Sequence, residues 1–141
     1  MNKLLATIAG VALSVLPAAA FASTATGSVT VNATVNAACS LSTGNPLNFP
    51  AYDPSGAGVS ASAAESIICT NTTAWALSVP STDVLTGPGG ATLNASGITT
   101  SPLSGTSIGA SQPFSVTGNI ASGQYSTPGS YTGSVTVTAT F

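Results

Sequence analysis

Residues 27–35 read G-S-V-T-V-N-A-T-V, with Val29, Val31, Ala33 and Val35 on one parity and Ser28, Thr30, Asn32 and Thr34 on the other. Successive side chains alternate between two faces only in a strand, so this pattern predicts a half-buried β-strand. A helix would scatter the valines around its axis, and the β-branched content favours a pleated backbone. The far end of the chain repeats the pattern. Tyr131, Gly133, Val135, Val137, Ala139 and Phe141 alternate with Thr132, Ser134, Thr136, Thr138 and Thr140 as far as the last residue. A strand that closes on an in-register aromatic predicts a C-terminus that is docked or recognised rather than frayed.

Between these ends the strand candidates are shorter: Pro46 to Phe49, Glu65 to Thr70, Ala74 to Val79 and Phe114 to Ile120. Turn formers bound them, at Asp53-Pro54-Ser55-Gly56, Gly87-Pro88-Gly89-Gly90, Ser122-Gly123-Gln124 and Thr127-Pro128-Gly129. No segment holds a helical period, and short strands separated by turns predict an all-β antiparallel sandwich. Asp83 to Ser111, rich in Gly, Ser and Thr, reads as either a weak strand or a long loop.

The N-terminus carries Lys3, the apolar run Leu4 to Val15, Pro17 and the small-residue site Ala20-Phe21-Ala22. These are the marks of a secretory signal peptide over 1–22, cleaved after Ala22. About 20 unbroken apolar residues would be needed for a membrane span, and Pro17 interrupts this run. Cleavage leaves roughly 120 residues, enough for one domain. That mature chain has no Lys, Arg or His, and its only charged side chains are Asp53, Glu65 and Asp83. Without cations it cannot neutralise phosphates, so nucleic acid is excluded as a partner. Low charge also favours self-association. The positive mean hydropathy and the Val, Ile, Leu and aromatic content mark a folding chain rather than a linker.

Cys39 and Cys69 are the only cysteines, and an exported chain is expected to pair them. Closing a loop of about 30 residues contributes roughly 3–4 kcal/mol in the chain-entropy account. With no C-x-x-C and no His, a metal site is not expected, nor is a cofactor.

Catalysis near neutral pH depends on a group that moves a proton or on a nucleophile activated by one. No His, Lys or Arg remains in the mature chain to do this, and nothing in the sequence ties two of the three carboxylates together, so an enzyme is not expected. The acids read as solvated. Trp75, in phase with Leu77 and Val79, reads as core rather than as a sugar platform.

Taken together, A-T-G-S-V-T-V-N-A-T-V-N-A-A-C (25–39), L-N-F (47–49), Y-D-P (52–54), C-T-N (69–71) and P-G-S-Y-T-G-S-V-T-V-T-A-T-F (128–141) resemble the spore coat protein U domain, a family that includes pilins of archaic chaperone–usher pili. The resemblance implies an immunoglobulin-like sandwich, residues 36–141, that lacks its final strand and is completed by donor-strand addition. Residues 23–35 would then be the donor segment, with Val29, Val31 and Val35 as plugs and Ala33 at a shallow pocket. Tyr131, Val135, Val137 and Phe141 would form the groove edge and the surface a periplasmic chaperone recognises. An outer-membrane usher would then exchange that chaperone for the next subunit. The implied product is a homopolymeric cell-surface fimbrium serving adhesion and biofilm formation.

From the pattern alone, 27–35 either pairs within its own chain or is given to another. A monomeric secreted binding module, or a coat or matrix β-domain, is the alternative of a different class. The composition makes one direct statement: trypsin should leave the mature chain intact, and tryptic fragments from within residues 23–141 on a mass spectrum would contradict it.

Overall fold

The computed structural model describes residues 23–141, so the signal-peptide reading of 1–22 lies outside the described residues. The chain divides into two units, Met1–Ala33 and Thr34–Phe141. In the first, residues 23–33 belong to no strand or helix and are all exposed. Exposure without a strand continues to Ala38. The alternation at 27–35 therefore does not make a strand in the monomer: a strand exists only where a neighbour takes its backbone groups, and here none does.

The second unit is an antiparallel β-sandwich of eight strands: β1 Cys39–Ser42, β2 Val59–Cys69, β3 Ala74–Ser78, β4 Thr82–Thr86, β5 Thr92–Ser101, β6 Ser104–Thr106, β7 Gln112–Ile120 and β8 Thr138–Thr140. One sheet has the order β1-β2-β7-β5-β4 and the other β6-β3-β8. Their inner faces meet in one core, with Ile67, Leu93, Ile98, Phe114, Val116 and Ile120 from the larger sheet and Trp75 and Leu77 from the smaller. Among the described residues no helix is long and apolar enough to cross a membrane.

The strands at 74–79 and 114–120 lie where the alternation puts them. Three other readings need correction. Glu65 to Thr70 is the end of a longer strand that begins at Val59, whose inward positions Ala61 and Ala63 are too small to signal burial. Asp83 to Ser111 is neither one weak strand nor a loop, because it holds most of β4 and all of β5 and β6. Pro46 to Phe49 forms no strand.

Cys39 and Cys69 are bridged. They stand directly opposite each other in the β1–β2 ladder, with Cα atoms 4.0 Å apart. The bridge thus joins neighbours in one sheet, unlike the inter-sheet bridge of antibody domains. An immunoglobulin-type feature does occur at Tyr131, whose hydroxyl donates back to the Thr127 carbonyl, as at a tyrosine corner. The turn at 53–56 is closed by Gly56 N–H to Asp53 O, and the Asp53 side chain accepts from Ser55 N–H.

Trp75 is core, 4 % exposed, and its indole N–H donates to Gln112. Gly105 lies opposite it on β6, where a Cβ would stand 2.6 Å from the indole ring. Gly105→Ala should therefore destabilise the domain by about 1–3 kcal/mol, the usual cost of overpacking a core, read as a lower denaturant midpoint at unchanged slope.

Candidate functional site: an open cleft in the sandwich

After β1 the chain runs without a ladder through 43–58, and before β8 it does so again through 133–137. These two runs form the walls of a cleft of roughly 480 Å3 whose floor is made by Ala63, Ala95, Ile98 and Val116. A second hollow continues it past Phe49 to Pro54, sharing Leu47, Leu85 and Tyr131 with the first.

The C-terminal wall keeps its period-two pattern. Tyr131, Val135, Val137 and Ala139 are half-buried and pack against the core, while the threonines and Ser134 between them are exposed. Its backbone is held at only two places: Thr132 exchanges hydrogen bonds with Thr86 at an isolated bridge, and Thr138–Thr140 pairs with β3. The strand expected over 131–141 is thus confined to its last residues, because residues 133–137 have no neighbour to pair with. Phe141 lies beyond β8 and is 57 % exposed, so within this chain it is not docked. Tyr131, Val135 and Val137 line the cleft, and Phe141 does not.

The other wall is set by Glu65. It lies within β2, 8 % exposed, and its two carboxylate oxygens accept from Gly44 N–H at 3.1 Å and Asn45 N–H at 3.0 Å. The Asn45 side chain in turn donates to the Ala64 carbonyl. A buried carboxylate needs such donors, and here they tie the 43–45 turn to the sheet. Beyond that turn, Leu47 and Phe49 project inward, and both come within contact distance of where a Gly118 Cβ would lie.

Asp83 also lines the cleft, from the inner face of edge strand β4. The reading of the acids as solvated therefore fails for Glu65 and needs correction for Asp83, which is half-buried. Asp53, at the 53–56 turn, is exposed, as that reading has it. A lone acid in a Ser/Thr-rich stretch gives no sign in the sequence of facing inward. Glu65 and Asp83 share a cleft lining, and no group of three or more potential metal ligands occurs among the described residues.

The cleft offers apolar side-chain positions between two lengths of unpaired backbone. One extended chain could hydrogen-bond to both walls while placing alternate side chains on the floor. Val29, Val31 and Val35, 86, 88 and 82 % exposed, form an alternating apolar row that buries nothing in the monomer. In comparisons with protein-family models and with curated proteins, nothing matches this chain.

Removing the Glu65 carboxylate leaves two backbone donors without their acceptors. Glu65→Ala should cost about 1.5–3 kcal/mol, the range for hydrogen bonds to a charged group, and Glu65→Gln less, since one acceptor survives. Hydrogen exchange should speed up at the Gly44 and Asn45 amides in the alanine variant, and unchanged protection there would contradict the role given to Glu65.

Proposed function

We propose that this chain is the structural subunit of a surface fibre, assembled by each subunit donating its 23–35 segment to the open cleft of the next. The observation that carries the reading is the cleft itself, an apolar floor between two runs of backbone that lack ladder partners. Burying three valines is worth about 1.5–3 kcal/mol each before the costs of association. Main-chain hydrogen bonds on both sides add to this. The contact is head to tail, so it extends into an open fibre instead of closing into a ring.

On this reading the chain is exported, and its cleft is covered before assembly by a periplasmic chaperone that an outer-membrane usher then exchanges for the next subunit. The resemblance read at 25–39 and 128–141 to spore coat protein U domains leads to the same sequence of events. Adhesion and biofilm formation are the roles such a fibre would serve at the cell surface.

The test compares mature protein with a form lacking residues 23–35, by size-exclusion chromatography and negative-stain microscopy. Fibres from the intact chain, lost on truncation while the remaining sandwich keeps its fold, are the expected result. A stable monomer that unfolds when truncated would mean that the segment belongs to its own sandwich, and the protein would then be a secreted binding module.

A further inference from the structure

Two carboxylates line the cleft, and they are held differently. Glu65 has both oxygens bonded to backbone N–H groups. The Asp83 carboxylate accepts no hydrogen bond from the described residues, and its Oδ2 lies so close to Gly133 that a Cβ on that glycine would come within 2.2 Å of it. The C-terminal wall thus presents, in order, a tyrosine, a glycine overlaid by a carboxylate, and two valines, at 131, 133, 135 and 137.

We propose that the Asp83–Gly133 pair sets the register of the incoming strand, which lies antiparallel to 131–137 with Ala33 opposite Gly133. The proposal rests on the strand-donation reading and specifies how the donor segment of a second copy seats.

The argument is steric and electrostatic. Among the inward positions 29, 31, 33 and 35, Ala33 is the only one smaller than valine. Opposite Gly133 its methyl group leaves the carboxylate room to keep a water. A valine there would meet the carboxylate and strip its solvent with nothing offered in exchange. With Ala33 so placed, antiparallel pairing sets Val31 opposite Val135, Val29 opposite Val137 and Val35 opposite Tyr131. Directly opposed residues share a face, so every valine points to the floor and Ser28, Thr30, Asn32 and Thr34 point to water.

The other registers are worse. A slip by one residue turns all the valines outward. A slip by two puts Val31 or Val35 over Asp83 and leaves Ala33 against Tyr131 or Val135 respectively, with a gap where a valine had fitted. A parallel arrangement anchored at the same point sets Ala37 opposite Val137, one valine fewer in the cleft.

Paired cysteines in the full mature chain read the register directly. Val29→Cys with Val137→Cys should link successive subunits, giving a ladder of covalent oligomers on a non-reducing gel. Val31→Cys with Val137→Cys, two residues out of register, should give little. The opposite result would overturn the register while leaving strand donation standing. If the unsubstituted chain forms no polymer, the donation reading itself fails, and this inference fails with it.

A second pair of variants tests the cause. Ala33→Leu should slow polymerisation at least about tenfold, as extra methylenes do in a closed pocket. Adding Asp83→Ala to it should restore most of the rate by emptying the space above Gly133. Failure of Asp83→Ala to rescue Ala33→Leu, in a subunit whose thermal melt shows it folded, would overturn the role of Asp83. Should that variant not fold, the cysteine pairs still decide the register.

Discussion

The structure turns on an unmet backbone requirement. Residues 133–137 carry a strand's side-chain alternation but lack a strand's hydrogen bonds, and the chain around 46–52 opposite them is equally unpaired. Buried or half-buried backbone groups are costly without partners, and an exposed edge beside apolar side chains invites another chain to supply them. The rest of the domain keeps this gap open. The Cys39–Cys69 bridge and the Glu65 bonds to Gly44 and Asn45 fix one wall. The bridge of Thr132 to Thr86 and the pairing of β8 with β3 hold the ends of the other. Neither wall is free to collapse onto its opposite.

Composition bears on the same point from outside. A mature surface of Ser, Thr, Asn and Gly with three acids has little charge with which to repel copies of itself. Two of those acids face the cleft rather than solvent. Acids on the inner face near an edge discourage indiscriminate strand addition, a device known from other sheet edges. The two acids are held differently: Glu65 is satisfied by the Gly44 and Asn45 amides, whereas the Asp83 carboxylate lies over Gly133.

Much of the architecture was legible because alternation is a property of the sequence itself. β3 carries Trp75 and Leu77 on its inner face and β7 carries Phe114, Val116 and Ile120, and the pattern from Tyr131 gave Tyr131, Val135, Val137 and Ala139 correctly as inward. What could not be read depends on neighbours. The first half of β2 packs with Ala61 and Ala63, and β5 buries Thr100 among its inward positions, so neither stretch contrasts its two faces strongly. The roles of Glu65 and Asp83 depend on Gly44, Asn45 and Gly133, which are distant in sequence and contribute backbone or empty space. Whether an alternating segment becomes a strand is likewise set by a partner, which is why 27–35 and 133–137 look like strands in sequence and form none here.

The chain enters β1 already bonded to the sheet. Ala38 continues the β1–β2 ladder past the disulfide: its carbonyl accepts from Thr70 N–H, and its N–H donates to the Thr70 hydroxyl. The chain at Ala38 is therefore aligned with β1, while the cleft wall begins beyond the opposite end of that strand, at Thr43. For Val35 to reach its own cleft, residues 36–38 would have to reverse direction and retrace the length of β1. Asn36 is the one turn-forming residue at 36–38, and Ala38 is already bonded. Reversal would give up the two Ala38 bonds before the valines gained any burial. On the strand-donation proposal, pairing with a second copy carries no such loss.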